Sequence, residues 1–273
     1  MSAERIEVRI LGCGSSGGVP RIGPNWGACD PGEPRNRRLR CSVLVQRIAT
    51  DGAATSALVD TSPDMREQLL AARANRLDAV LYTHAHADQV NGIDDLRQIC
   101  YLMQSRVPVY MDAPTTQALT RRFDYCFEQA PGSAYPPILE AFAMPMPGQA
   151  FAIDGPGGAL PVMAIDHEHG PNMRSLGFRF GDIAYSPDIS DLPEESFAHL
   201  QGLKVWIVDA LRQEPHPTHA HLAKTLEWIA RLKPQKAILT NMHVSLDYAS
   251  LAAELPEGVE PAWDGLTVHT PLP

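Results

Sequence analysis

No C-x-x-C pair occurs among the five cysteines, Cys13, Cys29, Cys41, Cys100 and Cys126, and their odd number leaves at least one thiol unpaired. A disulfide framework is therefore not expected, and a reducing, cytoplasmic setting suits the pattern. No stretch approaches the roughly 18 consecutive apolar residues of a membrane span. The charged start MSAERIEVRIL lacks the apolar run of a signal peptide. Basic charge is also in deficit: 23 Lys and Arg stand against 32 Asp and Glu, for a net charge of −9 with His neutral. Non-specific nucleic-acid binding needs a basic footprint, so a nucleic-acid partner is not expected. Internal repeats and low-complexity linkers are missing, and 273 residues read as one domain with a full core. Hydrophobic residues at 44% and charged residues at 20% are ordinary for a globular protein.

The patterning that is present is mostly strand-like. Residues 6–11 alternate apolar and charged, and a Gly-rich loop, GCGSSGGVPRIGPNWG, follows. CSVLVQRI and SALVDTS read as strands joined by a turn at Asp51-Gly52. Helices are expected at 65–74, with Ser62 or Asp64 as N-cap, and at 94–105, 115–127, 194–200, 220–232 and 247–255. LDAVLYT, VPVYMD, PVMAIDHEHG, LGFRFGD, IAYSPD, LKVWIVDA, 236–240 and LTVHT read as strands, and 129–161 as loops with short strands. Strands come in runs of two or three between helices, unlike the regular alternation of a doubly wound sheet. Two mixed sheets face to face with helices outside fit better. Gly12-x-Gly14-x-x-Gly17 matches a dinucleotide fingerprint, but it runs into Val19-Pro20 and Gly23-Pro24, which do not open a regular helix. A tight turn lining a cleft is the expectation.

The ten histidines are grouped. His84 with His86, His167 with His169, and His216, His219 and His221 form three groups, and His243 stands after a strand. A lone histidine is usually a satisfied core or surface residue. Four groups at strand ends, most near carboxylates, point instead to a metal such as zinc, manganese or iron. In THAHAD, residues two apart on an extended chain point the same way, so His84 and His86 reach one ion and Asp88, on the next turn, reaches a second. Asp188 in YSPDIS either bridges two ions or caps a turn. Asp60 either orients a ligand imidazole or caps a turn. RNRRLR, with Arg37, Arg38 and Arg40, is either a solvated face or an anion-binding edge.

THAHAD followed by EHG, SPD and MH resembles the metallo-β-lactamase-fold hydrolases over most of the chain. The LGCGSSGGVP loop, the RRLRCS segment and the D-x-x-P-D of residues 60–64 resemble the branch that contains the cyclic-phosphate phosphodiesterase of the carbon–phosphorus lyase pathway. The resemblance implies an α/β fold, a four-layer αββα sandwich of two mixed sheets flanked by helices, as a single domain over 1–273. It implies that His84, His86 and His169 hold one metal, that Asp88 and His243 hold another, and that Asp188 bridges them. His219, in PTHAHL, is similar to the family's substrate-contacting histidine. His167 and His221 have no counterpart and are expected behind the ligands. Two divalent ions, Zn or Mn, are implied.

Two departures qualify the match. Gln89 stands where the H-x-H-x-D-H motif has its last histidine, and a neutral amide oxygen is a poorer zinc ligand. The second site is expected to be weakened, empty, biased to an oxygen-accepting metal, or completed by His221 or water. Cys29 and Cys41 alone cannot supply the family's extra cysteine-rich zinc site. The implied function is hydrolysis of a small, cyclic or linear, phosphodiester through a metal-bound hydroxide. Asp88 and His219 are its catalytic residues, and Arg37, Arg38 and Arg40 bind the anion. Thioester, lactone or lactam hydrolysis is the rival activity. A tRNA-processing nuclease is disfavoured by the acidic charge and the lack of an inserted RNA-gripping arm. The rival from another class is a non-hydrolytic accessory protein, because TSPDMREQL also resembles the one of pyrroloquinoline quinone biosynthesis. A small-molecule partner and a homodimer are expected, with no membrane contact.

Overall fold

The computed structural model describes residues 4–272. The first half of the chain supplies β1 (Arg5–Gly12), β2 (Ser42–Ile48), β3 (Ala54–Val59), α1 (Met65–Ala72), β4 (Ala79–Leu81), α2 (Ala87–Val90), α3 (Leu96–Met103), β5 (Val107–Met111), α4 (Ala113–Arg122), α5 (Asp124–Phe127) and β6 (Leu139–Ala143). The second half supplies β7 (Ala150–Ile153), β8 (Leu160–Glu168), β9 (Arg174–Phe180), β10 (Ile183–Ser186), α6 (Glu194–His199), β11 (Val205–Asp209), α7 (Leu222–Leu232), β12 (Lys236–Thr240), α8 (Tyr248–Glu254), β13 (Val259–Pro261) and β14 (Thr267–Pro271). They form two mixed seven-stranded sheets, ordered β14-β1-β2-β3-β4-β5-β6 and β13-β12-β11-β10-β9-β8-β7. None of the described helices is long and apolar enough to cross a membrane.

Period-two patterning makes the layers. Val43 and Val45 of β2, Ala57 and Val59 of β3, and Ala79 and Leu81 of β4 face the second sheet. Their alternates Leu44, Leu58 and Val80 face the other way, onto Met65 and Leu69 of α1 and Leu96 and Ile99 of α3. On the second sheet, α7 covers the outer face through Leu222, Trp228 and Leu232. The result is the expected helix–sheet–sheet–helix sandwich. Each large apolar side chain buried in it contributes about 1.5–3 kcal/mol before the entropy of ordering is counted. Buried Trp206 keeps its indole N–H satisfied on Ser186 Oγ at 3.1 Å.

The sandwich brings strand ends together. β10, β11 and β12 run parallel in register, so the loops that follow them leave the same edge. Leu176 N of β9 donates to Thr83 O at 3.0 Å, tying the loop after β4 to the second sheet. That bond, with the Gln89 Nε2 to Asp188 Oδ2 bond at 3.0 Å, sets THAHADQ against the ends of β8 and β10.

Local departures from the sequence reading have local causes. The expected helix at 115–127 starts earlier and is split. Asp112 caps α4 by accepting from Thr115 N at 2.9 Å, and Phe123, at φ −133°, separates α4 from α5. Residues 87–90, read as a turn, form the short helix α2, and β13 was not anticipated. Asp64 occupies the N-cap position of α1 but makes no capping bond, because its carboxylate is taken by Arg40.

Candidate metal centre

A chain of hydrogen bonds sets the first imidazole. Asp60 sits fully buried at φ 62° at the end of β3, a left-handed conformation that Asp tolerates better than most residues. Its carboxylate accepts from Thr83 N at 2.8 Å and from Thr83 Oγ1 at 2.8 Å. With the Thr83 hydroxyl proton given to Asp60 Oδ2, Thr83 Oγ1 accepts from His84 Nδ1 at 3.0 Å. The Nε2 lone pair of His84 is then free. That atom is buried and has no partner among the described residues. Burial pushes the Asp60 pKa up, and the two Thr83 donors oppose the shift.

His169, following β8, is fixed in the same way. Its Nδ1 donates to Thr218 O at 2.7 Å, which leaves Nε2 as the acceptor. His86, more exposed, turns Nδ1 to within 3.4 Å of His169 Nε2. Ligand atoms of His84, His86 and His169 all lie within 4.8 Å of one another. Burial lowers the pKa of all three, to about 3 for His169, so near neutral pH the rings are neutral donors. Three neutral imidazole nitrogens drawn together, one of them a buried orphan, fit a divalent metal ion.

Asp188, after β10, is 3% exposed. Its ligand atom groups with those of His169 and His219 within the same 4.8 Å. Burial, then the charges of Asp88 and Asp209, push its pKa up to about 8 against the pull of His219. His219 Nδ1 bonds Asp209 Oδ2 at 2.8 Å, and Asp209, the last residue of β11, is fully buried. Burial alone would lower the His219 pKa, but Asp209, then Asp188 and Asp88, outweigh it and raise it to about 9. Asp209 is raised by burial to about 6, so near neutral pH the pair is an imidazolium on a carboxylate.

Among the described residues, the second metal position expected from Asp88 and His243, with Asp188 bridging and Gln89 as a weak extra ligand, does not converge on one point. Gln89 is 1% exposed, and its Nε2 donates to Asp188 Oδ2 at 3.0 Å and to Asp88 Oδ2 at 3.4 Å. An amide thus links the two carboxylates where the family pattern places a cation. His243 lies outside both ligand clusters, with Nδ1 turned to Ser245 N at 3.1 Å and Ser245 Oγ at 3.0 Å. Gln89 Oε1 is left buried without a partner among the described residues, and neither Asp88 nor His243 joins a converged ligand cluster there.

The remaining expected residues fall in different places. His167 is fully buried and has no hydrogen-bond partner on either ring nitrogen among the described residues; burial lowers its pKa to about 3. It packs against Gly177 and forms no bond to a ligand imidazole. His221 is the N-cap residue of α7 and makes no side-chain cap bond. Among the arginines, Arg37 is exposed and Arg40 forks onto Asp64 at 2.6 and 2.8 Å. Arg38 corrects the reading of RNRRLR as a basic edge. It is 1% exposed, and its Nη2 is spent on Leu246 O at 2.8 Å and Asn36 Oδ1 at 3.1 Å, so it braces the interior. Asp209, Thr83 and Asn241, which donates to Asp188 Oδ1 at 3.3 Å, were not singled out from the sequence. Asp209 carried one legible signal, a carboxylate closing the apolar run VWIV.

Comparisons with known proteins bear on the family and the fold. Residues 55–242 match the model of the beta-lactamase superfamily domain. A crystal structure titled as a new diphosphatase from the PhnP family superposes with TM-score 0.86 and 34% identity, over 98% of each chain. An octanoyltransferase of Porphyromonas gingivalis is 31% identical over 94% of this chain, which spans half of that protein's length. Coenzyme PQQ synthesis protein B of Cupriavidus necator is 25% identical over 96% of this chain and 98% of its own. With the αββα sandwich and the three-imidazole cluster in place, the chain belongs to the metallo-β-lactamase-fold, metal-dependent hydrolases, in their PhnP-like branch.

Proposed function

We propose that the chain hydrolyses a small phosphodiester. The observation that carries this reading is the Asp209–His219 pair, an imidazolium held beside the three-histidine cluster. A phosphodiester presents an anionic oxygen and releases an alkoxide, and one imidazolium serves both: it neutralises the oxygen and can protonate the leaving group. His84, His86 and His169 would hold one divalent ion, zinc or manganese, which supplies Lewis acidity and makes water nucleophilic near neutral pH. Asp60 and Thr83 hold the His84 tautomer, Thr218 that of His169, and Asp209 anchors the His219 imidazolium through Nδ1. Asp88, half-buried beside the cluster, offers a carboxylate acceptor for the proton of the attacking water. The same attack would open a diphosphate bridge, as in the PhnP-family diphosphatase that the chain resembles.

The test is turnover of bis(p-nitrophenyl) phosphate by the purified protein, beside a phenyl thioester and a lactone. Phosphodiester turnover that stops with chelator and returns with added zinc or manganese is the expected result. Faster acyl-ester turnover would transfer the assignment to a thioesterase or lactonase. Metal binding without turnover of any of the three would favour an accessory role, a reading to which the Gln89 amide between Asp88 and Asp188 lends weight.

A further inference from the structure

A groove of about 1100 Å³ runs along the first sheet, and none of the proposed metal ligands lines it. Its floor is the C-terminal ends of β5 and β6, continued by residues 144–147. The first turn of α4 and Leu176 of β9 close its sides. The floor stretch AFAMPMP, residues 141–147, carries no charge, and within it Phe142 is 39% and Met146 73% exposed. Apart from exposed Gln117, the polar side chains of the walls are already matched. Asp112 accepts from Thr115 N at 2.9 Å, Thr116 Oγ1 donates to Asp112 O at 2.8 Å, and Arg174 Nε donates to Asp166 Oδ1 at 3.0 Å. Nothing there asks for an ion, and exposed apolar surface gathered in one groove marks a place that a ligand covers. Met111, Met144 and Met146, unbranched and adaptable, suit a flexible apolar guest.

The groove leads to the metal centre. β4, β5 and β6 are parallel neighbours, so their C-terminal ends leave the same edge of the sheet, and β4 runs on into His84 and His86. At the usual spacing between strands, the end of β5 lies about 5 Å and that of β6 about 10 Å from the metal loop. Two hydrogen bonds fix the join: Tyr82 N donates to Tyr110 O at 3.1 Å, and Leu176 N, from the groove's wall, donates to Thr83 O at 3.0 Å. α4 ties the two places from outside, because its first turn lines the groove and Arg122, at its far end, donates to Ala85 O at 2.6 Å.

Building on the phosphodiesterase reading, we infer that this groove is the subsite for an apolar arm of the substrate, a hydrocarbon chain on the alcohol that stays esterified while the diester is cleaved at the histidine cluster. A chain about 10 Å long reaches from the cluster across the ends of β5 and β6. β6 is also the unpaired end of its sheet, where a second copy could add a strand. Such pairing would cover the margin of the sheet and would not account for the run of the groove toward the metal loop.

The experiment compares methyl p-nitrophenyl phosphate with hexyl p-nitrophenyl phosphate, which share a leaving group and differ in the retained chain. The wild type is expected to show a KM lower by about tenfold or more for the hexyl ester, since each added CH2 that leaves water favours binding. In Phe142→Glu/Met146→Glu the ratio of the two KM values should fall to about one, with turnover of the methyl ester unchanged. Met146→Glu alone, at the more exposed position, gives the same reading if the double variant does not fold. Equal KM values in the wild type, or a ratio unchanged in the variants, overturns the subsite. A wild-type dimer that the variants split, with no preference for the hexyl ester, overturns it in favour of a second copy. If neither ester is hydrolysed, the phosphodiesterase reading fails, and calorimetric titration of hexyl phosphate and methyl phosphate into the zinc-loaded protein tests the groove separately. Tighter binding of hexyl phosphate that is lost in Met146→Glu supports the subsite, and equal binding of the two, or none, overturns it.

Discussion

At the scale of single residues, the centre is defined by which atoms are left over. Gln89 decides the metal count. Its Nε2 reaches Asp188 and Asp88, and an amide turned the other way would set its carbonyl oxygen against two carboxylates. The protein purified without chelator is therefore expected to hold about one ion per chain by elemental mass spectrometry. Gln89→His, which restores an imidazole donor, is expected to raise the count toward two. Two tightly held ions in the wild type would remove this assignment. Asp209 decides the charge of His219. Burial alone lowers the His219 pKa, while the carboxylate of Asp209 is the largest influence raising it, to about 9. The proton-donating form exists below that value, so activity should fall above about pH 9. Asp209→Asn removes the opposing charge and lets burial prevail, so the alkaline limb should move to lower pH by more than one unit. Turnover should drop on the order of 10²-fold, the usual range for losing a positioned acid. An unmoved pH profile with the same drop would mean that Asp209 matters for packing alone.

At the scale of elements, glycine and hydrogen-bonded asides do what periodicity cannot announce. Gly177 in β9 lies under His167, and a Cβ there would overlap the His167 ring and crowd Tyr185 O. Gly177→Ala should cost about 1–3 kcal/mol as an overpacking change, measured by denaturant unfolding with an unchanged slope. A cost under 0.5 kcal/mol would show that His167 can move aside. Strands β2, β3 and β4 were legible as short continuous apolar runs because each buries both faces on different partners, and the amphipathic α7 was legible at its helical period. The split between α4 and α5 was not, because it arises from the backbone of Phe123 and no proline or glycine marks it. The imidazole pair at His84 and His86 was legible from spacing alone. Its partner His169 was placed through family resemblance, since it depends on the bond from Leu176 to Thr83, which no local pattern encodes. Arg38 misled for the opposite reason: a charge run in sequence says nothing of which guanidinium the fold turns inward.

At the scale of the whole molecule, the metal cluster is a tie between layers. His84 and His86 follow β4 of the first sheet, and His169 follows β8 of the second. An ion bound by all three is bound by the folded chain and not by separated sheets, so its binding free energy adds to stability as RT ln(1 + [L]/Kd). At a free concentration a hundred times the Kd this is about 2.7 kcal/mol. A chain of this size moves in Tm by roughly 2–4 °C per kcal/mol, so stripping the metal should lower the Tm by about 5–10 °C. Restoring zinc should recover the loss, and calorimetry with and without chelator measures it. His169→Ala removes the second sheet's share of the tie. Its Tm is expected to lie near that of the stripped wild type and to respond little to chelator or zinc. If His169→Ala still gained the full increment on adding zinc, the ion would be held from the first sheet alone, and the cluster would be a local site on the loop after β4.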